Sequence, residues 1–124
     1  MDQKLSEWLE RVKEDLISAK ILLTSHETVY AASVFHSHQA VEKTLKSYLF
    51  KEGYQIPKTH NLMRLLAVII EGDTFLTENI ASIQRLDNYY PRLRYPTGDK
   101  ISKEDAVLCL NIAEKICLGL RAIF

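Results

Sequence analysis

The chain has 124 residues, 47% hydrophobic and 26% charged, the composition of one ordinary globular domain, 1–124, that buries roughly two-thirds of its unfolded surface. Sixteen basic and sixteen acidic residues cancel to a net charge of zero, which weakens the case for a bulk electrostatic pull on nucleic acid and leaves local patches for that purpose. No apolar run approaches the ~18 residues of a membrane span, and Met1-Asp-Gln-Lys-Leu5 lacks the basic start and apolar core of a leader, so the expected setting is cytoplasmic, away from the membrane.

The first predicted helix covers about residues 3–25. Leu5, Trp8, Leu9, Val12, Leu16, Ala19, Leu22 and Leu23 recur at steps of three and four, while Glu7, Glu10, Lys13, Glu14 and Lys20 fill the other face. A central helix follows at about 29–52, closed by Gly53 at the position of a C-terminal cap. Ala31, Val34, Phe35, Val41, Leu45, Tyr48 and Leu49 form its apolar arc, with His38 in the middle, Glu42 inside the edge and Lys46 at the border. A second stripe, Ser33, Ser37, Ala40, Thr44 and Ser47, carries only small side chains. A helix with two such faces is covered on more than one side, either by a neighbour packed closely within the chain or by a second copy across a dimer seam.

Pro57 prevents the helix from continuing through the short connection 54–60. Thr59 is then a candidate N-cap for a third helix from His60 to Glu71, stopped by Gly72-Asp73. A weaker fourth helix is predicted over 75–89, with Leu76, Ile80, Ile83 and Leu86 on one side. From Tyr90 to Ser102 the period breaks, and Pro91, Pro96 and Gly98 predict a loop holding Arg92, Arg94, Tyr95 and Lys100. Ser102 and Asp105 have the spacing of a capping box for a last helix over about 103–122. That helix buries Ala106, Cys109, Leu110, Ala113, Ile116, Cys117 and Leu120. Its two cysteines, eight positions apart, are too distant along one helix for a disulfide and are expected as buried thiols. No strand pattern or repeat is present. The expectation is an all-α, up-and-down bundle of four or five helices.

His38, Glu42 and Lys46 lie one helical turn apart along one flank. Glu42 is a candidate acceptor or general base and Lys46 a candidate anion ligand; the alternative is an ion pair at the bundle's edge. A histidine on an apolar arc is commonly a hydrogen-bonded core residue, and no third ligand is placed to complete a metal site, so neither metal nor cofactor is expected. Arg92, Arg94, Tyr95 and Lys100 are the basic and aromatic cluster of the loop. Arginine grips phosphate with two parallel bonds, and Tyr89, Tyr90 or Tyr95 could stack on a base. Alternatively the loop packs on the bundle, with Arg94 paired to a carboxylate such as Glu42.

Four segments in order resemble one family. Glu14-Asp-Leu-Ile-Ser-Ala-Lys-Ile-Leu-Leu23, Phe35-His-Ser-His-Gln-Ala-Val-Glu-Lys-Thr-Leu-Lys46, Pro57-Lys-Thr-His-Asn-Leu62 and Arg94-Tyr-Pro96 are similar to the conserved segments of HEPN domains, of the Arg-Tyr-Pro type. The resemblance implies a helical bundle, often a homodimer, with nucleotide- or RNA-linked roles and, in many prokaryotic members, a minimal nucleotidyltransferase as partner in a toxin–antitoxin-like pair. It carries ligand-binding roles to Gln39, Glu42, Lys43, Lys46, His60, Arg94 and Tyr95, and it favours the dimer seam at Ser33, Ser37, Ala40, Thr44 and Ser47. One departure bears on catalysis. RNase-type members carry an arginine followed, after four to six intervening residues, by a histidine, and none of His26, His36, His38 and His60 has an arginine five to seven positions upstream. The resemblance therefore implies a nucleotide- or RNA-binding module rather than an enzyme; the alternatives are a ribonuclease toxin with an atypical site built on His60 or His38 with Arg94, and a purely structural adaptor.

Overall fold

The computed structural model describes residues 2–69, 72–95 and 100–122, and its described residues are helical, with no strand among them. Seven helices follow in order: α1 (Gln3–Leu23), α2 (Tyr30–Lys51), α3 (Leu62–Ile69), α4 (Thr74–Glu78), α5 (Ile80–Asp87), α6 (Tyr90–Arg94) and α7 (Lys103–Arg121). The three long helices pack together, and α2 also touches α3 and α6. Helix α1 runs antiparallel to α2, since Lys4 near the start of α1 sits over the Phe50 ring while Ser33 Oγ donates to the Ala19 carbonyl at 2.8 Å. The core joins Val34, Val41, Leu45 and Leu49 of α2 to Leu62, Leu65 and Leu66 of α3 and Ala113, Ile116 and Leu120 of α7.

The ends are set by local chemistry. Asp2 accepts from the N–H groups of Lys4 and Leu5 and so opens α1. Gly53 takes φ 79°, which lets Tyr54 N–H reach back to the Leu49 carbonyl and close α2. The capping box of α7 forms as expected, Ser102 and Asp105 each satisfying the other's backbone N–H.

Several expectations are corrected. Helix α3 starts at Leu62, capped by Asn61, whose Oδ1 accepts from Arg64 N at 3.0 Å; the Thr59 hydroxyl accepts instead from Asn61 N. Ile70 and Glu71, expected at its end, lie outside the described residues, as do Pro96 and Gly98. The single helix expected over 75–89 is divided at Asn79, whose side-chain amide donates to the Phe75 carbonyl at 2.8 Å while its own N–H turns to Leu76. The expected loop begins as helix α6, because Pro91 falls in the first turn, where no N–H is needed. Ala31 and Phe35 are exposed rather than part of the core arc.

The small-residue stripe is also decided. Ser33, Ser37, Ala40, Thr44 and Ser47 are buried within the chain, with Ser33 bonded to α1 and Thr44 Oγ1 3.2 Å from Cys117 Sγ on α7. The stripe lets α1 and α7 approach α2, and it is not a surface on which a second copy can dock. Cys109 and Cys117 are buried free thiols, each pushed up to about 12 chiefly by burial.

Two expected outcomes test this packing. A Cβ on Gly119 of α7 would run into the Phe75 ring of α4. Gly119→Ala should therefore lower the thermal midpoint by overpacking that costs about 1–3 kcal/mol, and Phe75→Leu in the same chain should recover it. The second concerns Tyr89, whose hydroxyl donates to Asp105 at 2.6 Å. This bond, with the Ser102 N–H, holds the Asp105 carboxyl below the usual carboxylate range, and the same bond with burial pushes Tyr89 up to about 12. A depressed carboxylate stabilises the fold above its unfolded value and loses that contribution as pH falls through its folded value. A raised phenol stabilises the fold below about 10 and loses its contribution as pH rises from there toward 12. Tyr89→Phe should therefore flatten both limbs of a stability–pH curve measured by denaturant unfolding, and lower stability at neutral pH by roughly 1.5–3 kcal/mol.

Candidate functional site

The polar centre of the molecule is Glu42 on α2. The residue is 3% exposed, and a carboxylate taken so far from water requires donors. Three side chains provide them: Lys46 Nζ to Oε2 at 3.0 Å, His60 Nδ1 to both oxygens at 3.1 and 3.2 Å, and Gln39 Nε2 to Oε1 at 3.3 Å. Gln39 and Lys46 come from the neighbouring turns of α2. His60 comes from the connection ahead of α3, which explains why it is not the helix's first residue. The ion pair between Glu42 and Lys46 exists as expected, and Gln39 and His60 join it.

His60 opens onto a pocket of about 390 Å³ lined by Lys58, Thr59, Asn61, Asp87, Tyr90, Pro91 and Arg94. Its side chain is 58% exposed while its Nδ1 donates to the buried Glu42, an arrangement that fixes the tautomer and orientation of the imidazole. Arg94 has no carboxylate partner among the described residues; Glu42, expected as one alternative, is satisfied by His60 instead. Asp87 faces the same pocket, but its oxygens accept from His38 Nε2 at 3.0 Å and from the N–H groups of Leu62 and Met63. It thereby caps α3 and fixes His38, the fully buried, hydrogen-bonded core histidine. The Tyr90 ring stacks with His38 (centroids 4.6 Å, 28°) and with His60 (5.7 Å, 26°), tying α6 to both.

The other expected site residues are divided. Lys43 turns away from Glu42 and donates to Asp15 of α1 at 2.7 Å, where His36 Nδ1 donates as well at 2.8 Å. Lys43 and Lys46 line a second groove, about 240 Å³, with Trp8, Arg11 and Glu42. Tyr95 is exposed, 6.0 Å from the Arg94 guanidinium, and lines neither cavity. The expected site residues are thus divided between two grooves, His60 and Arg94 in one and Glu42, Lys43 and Lys46 in the other, with the Glu42–His60 bond between them. No group of acidic, histidine or cysteine residues suited to a metal ion occurs among the described residues, and none of their helices is long and apolar enough to cross a membrane.

Sequence reasoning missed Asp87, Lys58 and Asp15. Asp15 carried a signal, since it falls on the same face as Val12 and Ala19 and is 7% exposed. Asp87 carried none: its partners lie 25 and 49 positions away.

Comparison with known proteins agrees with this architecture. The chain is 30% identical over 125 residues to the "Putative toxin MJ1304" of Methanocaldococcus jannaschii, a match covering 88% of this chain and 80% of the relative. Its fold matches the crystal structure of ST0689, an archaeal HEPN homologue, with a TM-score of 0.76 over 99% of this chain and 98% of the other, at 22% identity. The HEPN domain pattern matches residues 5–121, from the first buried leucine of α1 to the end of α7, and the chain belongs to the HEPN domain family.

Proposed function

We propose that this protein is a HEPN-type binding module for a nucleotide or an RNA end, acting in the cytoplasm as partner of a minimal nucleotidyltransferase in a toxin–antitoxin-like pair. The observation that carries the binding reading is the pocket beside Glu42, where Lys58, His60 and Arg94 come together and Arg94 has no carboxylate partner among the described residues. A guanidinium, an ammonium and an imidazole around one open cavity match the oxygens of a phosphate, with the guanidinium able to bond two at once. Asp87 does not oppose this, because its charge is already met by His38 and the start of α3. The absent arginine–histidine spacing supports binding over cleavage, and the toxin named among the relatives supports the pairing. A homodimer is part of the proposal. With the small stripe buried, Ile17, Ile21 and Leu118, 49–63% exposed, are surfaces that association with another chain would cover.

A second reading rests on one specific observation. The buried Glu42 holds the Nδ1 side of His60 while the rest of the ring faces the Arg94 pocket, the arrangement that equips a histidine as a general base or acid. In that reading His60 takes the proton of a ribose 2′-hydroxyl as its oxygen bonds to the phosphorus, the bond from phosphorus to the 5′-oxygen breaks and that oxygen takes a proton from water, and Arg94 stabilises charge on the phosphate.

The test is binding of ATP and of a labelled short RNA, followed by calorimetry and anisotropy. Arg94→Ala and Lys58→Ala should each weaken binding by about tenfold to a hundredfold, in line with loss of a charge-assisted bond worth roughly 1.5–3 kcal/mol; unchanged affinity in both variants discards the pocket assignment. Prolonged incubation of the labelled RNA with the purified protein should leave it intact. Cleavage that disappears in His60→Ala would instead establish the second reading. Native mass spectrometry of the protein drawn from its own cells should show two copies bound to a nucleotidyltransferase-like chain, and a bare monomer would remove the proposed assembly.

A further inference from the structure

The groove of Trp8, Arg11, Glu42, Lys43 and Lys46 has no role in the reading above, yet Glu42 bonds it to His60 of the Arg94 pocket. Lys46 Nζ and His60 Nδ1 both reach the same atom, Glu42 Oε2, at 3.0 and 3.2 Å. Lys46 of one groove and His60 of the other are therefore separated by only two hydrogen bonds around one buried oxygen. Lys46 uses one of its ammonium donors on Glu42, and Lys43 uses one on Asp15, which leaves each with donors to spare. Arg11 is paired with Glu14 at 3.3 Å, but both side chains are 60% or more exposed, so water screens the pair and a phosphate displaces Glu14 at little cost. Trp8 adds an indole to the same groove. Cations that follow a backbone and an aromatic face that takes a base are the two parts of a single-strand site.

We propose that the two grooves form one site for single-stranded RNA, in which Arg94 and His60 hold one nucleotide and the adjoining nucleotide lies against Trp8 with its phosphate at Lys46, Lys43 and Arg11. The inference rests on the binding reading of the Arg94 pocket and specifies its ligand as a strand rather than a free nucleotide. The strand is short. Beyond Trp8 and Arg11 the surface is lined by Glu7, Glu10 and Glu14, whose like charge turns a phosphate backbone away.

Trp8 is the chain's one tryptophan, so its emission reports on this groove and the acidic surface beside it. The experiment is a fluorescence and calorimetric titration of the full chain with AMP, with tri- and hexauridylate, and with an acidic peptide as competitor. Triuridylate should quench Trp8 and bind at least about fivefold more tightly than AMP, the scale of one base stacked on an aromatic ring. Hexauridylate should bind no more than about twofold better than triuridylate. Arg11→Gln, at an exposed position that leaves the fold intact, should remove most of the gain for triuridylate and leave AMP unchanged. Equal affinity for AMP and triuridylate with unchanged Trp8 emission overturns the inference and leaves the Arg94 pocket standing. Binding of neither overturns the pocket reading as well, and quenching by the acidic peptide alone assigns the groove to a protein partner and overturns the strand.

Discussion

The arrangement depends on the burial of one carboxylate. Glu42 lies on the inner part of α2, and an ionised group at 3% exposure costs several kcal/mol unless donors surround it. Its three donors are drawn from different distances along the chain: Gln39 and Lys46 from the same helix, His60 from a connection 18 positions on. The His60 bond is the consequential one. It pulls the chain ahead of α3 onto α2, displaces the helix start to Leu62, and leaves an imidazole facing outward beside α6. Removing Glu42 would therefore take away an ion pair and also the reason why the α3 connection and α6 meet where they do.

Asp15 and Asp87 repeat the device. Each is nearly buried, each is met by a histidine, and each ties segments that packing alone would leave free to slide: α1 to α2 through His36 and Lys43, and α2 to the junction of α3 and α5 through His38 and two backbone N–H groups. Apolar contact is non-directional and tolerates small displacements, whereas a carboxylate with several fixed donors tolerates few. In this bundle the hydrophobic residues supply the attraction, and three acidic side chains supply the register. The small residues of α2 serve the same end from the other side. Ser33, Ser37, Ala40, Thr44 and Ser47 let α1 and α7 approach closely enough for these bonds to form.

This division explains what could be read in advance. The long helices were legible because Leu5 to Leu23, Val34 to Leu49 and Ala106 to Leu120 repeat at helical steps, and periodicity reports which face is buried. The capping box at Ser102 and the turn at Gly53 were legible because their chemistry is local. Asn79, Pro91 and Asn61 were misread at the scale of one turn. There the outcome depended on whether a side chain turned to a nearby backbone group, and residue type alone leaves that open. Among the site residues, Glu42 and Lys46 were legible from spacing on one helix, and Gln39 only from the family resemblance. Their separation from Lys43, and the pairing of Asp87 with His38, were not, since nothing in a sequence states which distant segments share a carboxylate. The small stripe shows a further limit: its pattern fits a close neighbour equally well whether that neighbour belongs to the same chain or another.

His38 and His60 separate structure from function with the same chemistry. Both are imidazoles bonded to a carboxylate, and both stack with Tyr90. His38 is fully buried, so its bond to Asp87 serves only to hold α2, α3 and α5 together. His60 is more than half exposed over its own buried carboxylate, so the same kind of bond orients a ring toward a cavity that also holds Lys58 and Arg94. Glu42 lowers the freedom of that ring before any ligand arrives, and less ordering then remains to oppose binding. Burial of the carboxylate and exposure of the histidine together make a position suited to ligands; either alone would make only a core contact or a mobile surface group. Lys46, His60 and Arg94 gather over Glu42 and Asp87, whose oxygens are already bonded beneath them.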